Sequence, residues 1–141
     1  MPRNRGIEIA WMILNGLAIG FLVVMLLRRL FRTERVTADT LSSAISGYFL
    51  LGILWAFAYG ILLWFDPAAF PGGHEARTAD LFYFSFVTLT TLGYGDLVPA
   101  SEAAGALTSL EAVTGSLYLT ILIARLVGLH IAGSRERANR G

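Results

Sequence analysis

Three long apolar blocks constrain this chain more than any other feature of its sequence. They cover residues 7–27, 41–65 and 101–131, and the middle block contains no charged residue. A helix needs about 20 apolar residues to cross the hydrocarbon core of a bilayer, and each block reaches that length. Only 15% of the 141 residues are charged, whereas soluble domains carry about 25%. The pattern predicts an all-α membrane protein with three spanning helices.

The first block has two possible interpretations. Arg3 and Arg5 precede it, as the basic region of a signal peptide would. However, the block is longer than a typical signal core, and Arg28 and Arg29 follow it where a cleavage site would have small residues. We therefore interpret residues 1–40 as a spanning helix with a cytoplasmic linker.

A shorter apolar segment, residues 78–90, lies between the second and third blocks. Thr78 is the expected N-cap, and Asp80 suits the first turn. A helix of this length spans about 20 Å, which is too short to cross a bilayer. A stretch rich in Thr and Gly follows it, and non-helical backbone at membrane depth is tolerated only inside protein or along a water-filled path. The organisation predicts a re-entrant helix and loop that line a pore.

Several functional classes are disfavoured by composition. The chain has no cysteine, which excludes disulfides and zinc–thiolate sites, and its net charge of +1 argues against a nucleic-acid partner. The sequence contains no phosphate-binding loop, metal-ligand cluster or nucleophile–base pattern, so we expect neither enzyme activity nor a cofactor. No apolar block carries basic residues at every third position, so we expect no voltage sensor.

Basic residues cluster at two places and predict the orientation. The first cluster follows the first block (Arg28, Arg29, Arg32 and Arg35), and the second lies in the tail, residues 132–141. The positive-inside rule places both in the cytoplasm, with the N-terminus outside a cell membrane that the chain crosses several times. His74 then lies in an outer loop, where we interpret it as a solvated residue, with sensing of external pH as the alternative.

The segment Thr88-Leu89-Thr90-Thr91-Leu92-Gly93-Tyr94-Gly95-Asp96 resembles the T-x-x-T-x-G-Y-G-D signature of potassium channels. A potassium ion must shed its water, and rings of backbone carbonyls from four such loops can replace that water. Carbonyls that point to one side at successive residues require alternating backbone dihedrals, and glycine adopts the left-handed ones without a Cβ clash. The resemblance implies a selectivity filter at 91–96 that binds potassium ions at Thr91, Leu92, Gly93, Tyr94 and Gly95. It also implies that the Thr91 hydroxyl is the innermost ligand and that Leu92 and Tyr94 brace the loop against the short helix.

The resemblance extends over residues 39–131 and is to small bacterial potassium channels with a two-helix pore. It implies a pore domain at 41–131, consisting of outer helix 41–65, pore helix 78–90, the filter and inner helix 101–131. The chain contains one filter loop, so a closed ring requires four chains. We therefore expect a homotetramer in membrane lipid, with the inner helix lining the pore and the outer helix facing lipid.

Filter support is expected from Thr88, Thr90, Tyr83 and Asp96. Related channels commonly place a glutamate beside the filter aspartate and two tryptophans on the pore helix. This chain has Val87 at the first position and Tyr83 and Phe84 at the other two. Tyr83 alone keeps a polar group that can reach Asp96. Leu92 also replaces a commoner valine, and these departures bear on filter stability and inactivation more than on ion class.

Gly115 lies where related channels commonly have a hinge glycine in the inner helix. A glycine inside a helix costs about 1 kcal/mol relative to alanine. Two interpretations stay open here: a gating bend, or close packing of helices around a small residue. Beyond it, the residues expected to line the cavity are Ser116, Leu119, Ile123 and Val127.

Two ionisable residues lie inside the third block. Glu111 is interpreted mainly as a bracket that holds the pore helix through Thr88 or another hydroxyl. The alternatives are a negative field near the cavity and a neutral, protonated side chain hydrogen-bonded to a neighbouring helix. Arg125 is expected to extend towards the cytoplasmic headgroups instead of lining the pore.

Two other functional classes remain open. One is a non-selective cation channel built on the same scaffold. The other is a non-conducting subunit that assembles with a longer channel, since no motif accounts for the first helix. A transporter with four loops in one chain is disfavoured because this sequence contains a single loop.

Overall fold

The computed structural model describes residues 5–32, 38–71 and 77–138. Regular secondary structure in these ranges is α-helical throughout: α1 (Arg5–Arg32), α2 (Ala38–Phe65), α3 (Thr78–Leu89) and α4 (Glu102–Ala138). Helices α1, α2 and α4 are long and apolar enough to cross a membrane, and α3 is a shorter apolar helix. The predicted fold class is therefore confirmed. The last helix runs on to Ala138, past its expected end at 131.

Local capping explains where the helices begin. The Ser101 hydroxyl accepts a hydrogen bond from the Ala104 amide at 3.3 Å, so Ser101 caps α4. The predicted cap of α3 is wrong: the capping position is Arg77, and Thr78 is the first helical residue. The Asp80 carboxylate accepts from the Arg77 amide at 2.9 Å and thereby satisfies the start of that helix.

The second helix also begins earlier than its apolar block suggests. Because α2 starts at Ala38, Asp39 and Thr40 lie in its first turn. Asp39 still suits this position, since an acidic side chain in the first turn complements the helix dipole. At the other end, the Asp66 carboxylate accepts from the Ala68 amide at 3.1 Å as the chain turns out of the helix.

Helix α1 packs along α2. The rings of Trp11 and Phe57 lie 6.1 Å apart between their centroids, and Val23 is buried in a cluster with Leu51. The opposite face of α1 is apolar and exposed. An exposed apolar face on a membrane-length helix is suited to contact lipid.

An aromatic core holds α3 in place between α2 and α4. Its central rings belong to Tyr59, Phe70 and Phe84, whose centroids lie 4.9 to 5.5 Å apart in edge-on pairs. Such pairs add about 0.5–1.5 kcal/mol each beyond the area they bury. Leu81 and Ala104 complete the contact from α3 and α4. The short helix is thus fixed near the end of α2 at which the chain turns towards α3.

Helix α4 is far less covered than α2. Only 6% of its most apolar stretch is buried within the chain, against 33% for α2. Its exposed residues form two stripes at helical spacing: Leu110, Val113, Leu117 and Ile121 in one, and Ser116, Leu119, Ile123 and Val127 in the other. The single chain therefore leaves two faces of this helix unpacked.

Candidate functional site

The backbone after α3 alternates in handedness. Thr91, Gly93 and Gly95 have φ values of +58°, +57° and +75°, whereas Leu92 and Tyr94 between them are not in the positive-φ region. Glycine adopts positive φ freely, but a β-branched residue such as threonine does so rarely. Alternating handedness turns successive carbonyl groups to one side of the chain, as rings of ion-coordinating carbonyls require.

This segment is anchored to the last turn of α3 by its own amides. The Thr91 amide donates to the Thr88 carbonyl at 2.9 Å, and the Leu92 amide donates to the Val87 carbonyl at 2.9 Å. The Thr90 hydroxyl donates to the Phe86 carbonyl at 2.6 Å. These bonds satisfy carbonyls that a helix C-terminus otherwise leaves unpaired. The position of residues 91–96 therefore follows the position of α3.

The far end of the segment is tied to α3 by one side chain. The Tyr83 hydroxyl donates to Oδ2 of Asp96 at 2.7 Å, and Oδ1 accepts from the Leu97 amide at 3.0 Å. The hydrogen bond from Tyr83 lowers the pKa of the Asp96 carboxyl and raises that of the Tyr83 hydroxyl. Tyr83 thus reaches Asp96, as its polar group suggested.

The side chains of Leu92 and Tyr94 are largely exposed, at 56% and 69%. The structure therefore does not bring them against the pore helix of the same chain as a brace. Large exposed apolar groups on one loop are typical of a surface that another molecule covers. If these residues brace the filter, the contact comes from elsewhere in an assembly.

Gly115 lies directly against the end of α3. A Cβ atom at this position would lie 2.5 Å from the Leu89 carbonyl oxygen and 2.9 Å from the Leu89 side chain. The Tyr48 hydroxyl of α2 donates to the same carbonyl at 3.0 Å. Helix α4 is continuous through Gly115. The geometry favours the packing interpretation of this glycine, and a gating bend stays a prediction.

Glu111 is fully buried between three helices. The Tyr59 hydroxyl of α2 donates to Oε2 of Glu111. The Ser85 hydroxyl of α3 lies 2.5 Å from Oε1 of Glu111 and 2.8 Å from the Gly52 carbonyl oxygen of α2. Glu111 therefore contacts the back of α3 through Ser85, not through Thr88. A Cβ at Gly52 would lie 2.8 Å from the Phe86 ring, so α3 approaches α2 closely beside this cluster.

The predicted cavity residues share one face of α4. All four are exposed in the single chain: Ser116, Leu119, Ile123 and Val127. Arg125 lies elsewhere, beside a cavity of about 250 Å³ that Leu27, Leu51 and Tyr118 also line. Its place between α1, α2 and α4 agrees with an arginine that does not line a central pore.

Three residues at this site were not among those predicted from the sequence. Tyr48, Tyr59 and Ser85 lie in apolar helices and match no motif. A weak signal exists for the tyrosines, because a hydroxyl within a membrane span needs a partner. His74, Arg35, Arg3 and Arg140 lie outside the described residues. Among the residues that the structure does describe, no group of three acidic or histidine side chains is placed to hold a metal ion.

Comparison with known proteins places this geometry in context. A family model described as "Ion channel" matches residues 44–130. The chain is 30% identical over 129 residues to the voltage-gated potassium channel Kch of Escherichia coli, covering 88% of this chain and 30% of that protein. It is 39% identical over 69 residues to two-pore potassium channel 4 of Arabidopsis thaliana, covering 49% of this chain and 24% of that protein. The matched chain thus spans less than a third of either relative.

Proposed function

The chain belongs to the ion channel family, and on that basis we propose that four copies form a potassium-selective channel that conducts potassium passively across the cell membrane. The observation that carries the proposal is the alternating handedness at Thr91, Gly93 and Gly95, directly after a helix too short to span. A chain of this handedness can present consecutive carbonyl oxygens to an ion that has lost its water. Potassium is the ion named in the relatives described above.

The proposed ion sites follow the backbone from the innermost residue outwards. Potassium binds to the Thr91 hydroxyl and to carbonyls of Thr91, Leu92, Gly93 and Tyr94, with Gly95 at the outer end. Thr88 and Thr90 support the inner end from α3, and Tyr83 supports the outer end through Asp96. The partial negative charge at the C-terminus of α3 favours a cation at the inner end.

A tetramer accounts for surfaces that the single chain leaves exposed. One chain supplies one filter segment, so a ring of carbonyls requires several copies with cyclic symmetry. The two unpacked faces of α4 match this requirement: one stripe faces the neighbouring subunit and the stripe with Ser116 and Ile123 lines the cavity. The exposed Leu92 and Tyr94 then pack against a neighbour.

The proposed topology follows the charge distribution. The N-terminus lies outside, and both the linker after α1 and the C-terminal tail lie in the cytoplasm, where basic residues are favoured. Residues 41–131 form the pore domain, and residues 1–40 add a spanning helix on its outside. In this topology Asp96 lies at the external mouth and raises the local concentration of cations.

The test is ion flux in liposomes. Purified protein is reconstituted into potassium-loaded vesicles, and flux is followed against external sodium with barium as a filter blocker. Barium-sensitive flux of potassium without sodium is expected. Flux of both ions would replace the proposal with a non-selective channel, and a protein that neither conducts nor forms tetramers would favour an accessory subunit.

A matched pair of variants links the flux to the filter. Gly93→Ala forces a Cβ into the left-handed region, at a cost of about 1–2 kcal/mol per residue, and should abolish selective flux. Gly105→Ala makes the same change in α4, where a Cβ meets nothing within 4 Å in the chain, and should leave flux intact. Equal loss in both variants would contradict the assignment of the filter.

A further inference from the structure

Four polar groups form a row across the buried junction of α2, α3 and α4. They are the Tyr59 hydroxyl, the two carboxyl oxygens of Glu111, the Ser85 hydroxyl and the Gly52 carbonyl oxygen. Tyr59, Glu111 and Ser85 have no exposed surface. Water therefore does not share in satisfying these three side chains within the chain, and each contact in the row must be supplied with a proton from inside the row.

The number of protons available in the row determines which oxygen donates each hydrogen bond and which accepts it. A serine hydroxyl has one proton to donate, and a backbone carbonyl can only accept. The 2.8 Å contact between Ser85 and Gly52 therefore uses the Ser85 proton. The 2.5 Å contact between Ser85 and Oε1 of Glu111 then brings together two oxygens that need a second proton. Tyr59 supplies the proton of its own contact with Oε2, so the missing proton has to be on Oε1.

We propose that Glu111 is a neutral carboxylic acid whose O–H completes a one-way chain of hydrogen bonds from Tyr59 through Glu111 and Ser85 to Gly52. Each hydroxyl in this chain donates once, and the Ser85 and Glu111 oxygens also accept once. The acid form unites two of the interpretations drawn from the sequence, because the side chain is both neutral and a bracket for the short helix.

The chain of hydrogen bonds makes Glu111 a positioning residue for the filter, an inference that rests on the proposed function. Ser85 lies on α3, and the amides of Thr91 and Leu92 are bonded to the last turn of the same helix. Gly52 permits the close approach of α2 and α3 beside the chain, since a Cβ there would overlap the Phe86 ring. Loss of the acid would remove the donor to the Ser85 oxygen and the acceptor of the Tyr59 hydroxyl at the point where α3 is fixed.

An ionised Glu111 would bond differently. A carboxylate accepts only, so Ser85 would have to donate to Oε1, and the Gly52 carbonyl would lose its partner in the row. The burial of an ionised carboxylate without a cationic partner is also strongly disfavoured. The two forms therefore differ in a proton that can be observed directly.

Infrared difference spectroscopy of the reconstituted protein tests the assignment without reference to ion flux. At neutral pH, wild type minus Glu111→Gln should contain a protonated carboxyl C=O band that shifts on exchange into D₂O. Glu102→Gln is the matched control, because Glu102 is exposed at the start of the same helix and takes no part in the buried row, so its substitution should leave the protonated band in place. The proposal would be overturned if the wild type contained no protonated carboxyl band and Glu111→Gln lost a carboxylate band instead.

Substitutions then test the positioning role. A glutamine amide can donate to Ser85 and accept from Tyr59, so Glu111→Gln should keep both tetramer stability and selectivity for potassium over sodium. Glu111→Ala can do neither and should lose selectivity. Equal loss of selectivity in both variants would contradict a neutral acid, because glutamine can replace the hydrogen bonds of a neutral acid but not the charge of an ionised one.

The two proposals fail in different ways. A wild-type protein with the protonated band but without potassium flux would remove the channel function and leave the hydrogen-bond chain in place. A selective channel that lacks the band would retain the function and overturn the assignment of the proton.

Discussion

Thr91 adopts a backbone conformation that runs against its intrinsic preference. It is the only non-glycine residue with positive φ in the described ranges, and it is β-branched. Residues in such conformations cost of order 1–3 kcal/mol and persist only where the surroundings determine them. Here the surroundings are the Thr88 carbonyl, which accepts from the Thr91 amide, and the alternating segment that follows. A glycine would adopt the same backbone conformation more easily. The backbone alone therefore gives no reason for threonine here, and the reason lies in its side chain.

The hydroxyl of Thr91 can be separated from its shape. Thr91→Val keeps the β-branch and removes the hydroxyl, and it should weaken barium block by roughly two- to tenfold, as the loss of about 0.5–1.5 kcal/mol of interaction predicts. Thr91→Ser keeps the hydroxyl, so barium should block this variant as strongly as it blocks the wild type. The measurement is the barium concentration for half block in liposomes, and equal block in Val and Ser variants would remove the hydroxyl from the ion site.

The hydrogen bond between Tyr83 and Asp96 gives a second prediction at the residue scale. Because this bond lowers the folded-state pKa of Asp96, its contribution is present above the ordinary aspartate pKa of about 3.9 and is lost as pH falls through the lowered value. Tyr83→Phe should therefore move the titration of Asp96 to higher pH. Carbon NMR of the Asp96 carboxyl measures this shift directly.

Tyr118→Phe is the matched control for that titration. Its hydroxyl bonds to the Ala44 carbonyl at 2.6 Å, between α4 and α2. Like Tyr83→Phe, this variant removes one tyrosine hydroxyl, but one that does not contact Asp96. The pH at which Asp96 titrates should therefore not change. A Tyr83→Phe protein with an unchanged Asp96 titration would show that the contact has no electrostatic consequence.

At the scale of elements, α3 is held between α2 and α4, and its position determines where the loop after it begins. Glycines on both neighbours allow the approach: Gly52 of α2 lies against Phe86, and Gly115 of α4 lies against Leu89. Gly115 meets backbone atoms, which cannot rotate away as a side chain can. Helix α3 is therefore held at its C-terminal end, from which the filter segment continues.

Gly115→Ala should destabilise the protein despite its better helix propensity. Overpacking costs about 1–3 kcal/mol, whereas the gain in propensity is about 1 kcal/mol. The contact with the Leu89 carbonyl places the expected cost at the upper end of that range. Thermal unfolding in detergent, followed by loss of helical circular dichroism, measures the change.

Gly105→Ala and Gly128→Ala provide the comparison within the same helix. At both positions a Cβ meets nothing within 4 Å in the chain, so the substitution should stabilise α4 by up to about 1 kcal/mol. If Gly115 acts only as a hinge, Gly115→Ala should change flux while its stability follows these two variants. That result would refute the packing interpretation.

At the scale of the whole molecule, the single chain exposes apolar surface on several elements. Helix α1 has one exposed face, whereas α4 is exposed on two stripes and the filter segment is uncovered beside it. Lipid tails are as apolar as leucine side chains, so exposure alone does not distinguish a lipid face from an interface. The distinction depends on packing, which a change in side-chain volume can test.

Leu110→Ala should lower the temperature at which the tetramer dissociates, because it removes packing at the proposed subunit interface. Leu17→Ala, on the exposed face of α1, should have no such effect, since lipid fills the space. The two leucines are similarly exposed in the chain, at 58% and 68%. Heating followed by native electrophoresis distinguishes them, and equal effects would place α4 in lipid instead of at the interface.

Much of this architecture is determined by short stretches of sequence. Three apolar blocks of sufficient length predict three spanning helices, and a fourth, shorter apolar segment predicts α3, because hydropathy and length act locally. The left-handed backbone at Gly93 and Gly95 is predictable for the same reason, since the absence of Cβ is a property of each residue. The cap at Ser101 likewise depends on neighbours three residues away.

Only the tertiary structure decided which side chains hold α3 and the loop that follows it. Glu111 is visible in the sequence as a charge inside a span, but its partners Ser85 and Tyr59 lie 26 and 52 residues away. The contact between Gly115 and Leu89 is equally non-local. Hydropathy specifies that a helix enters the membrane, whereas the pairing of buried hydroxyls and carbonyls depends on how helices rotate and approach one another. The sequence alone determined that a half-length helix and an alternating loop follow helices of membrane length, and the packing of three helices decided how that loop is held.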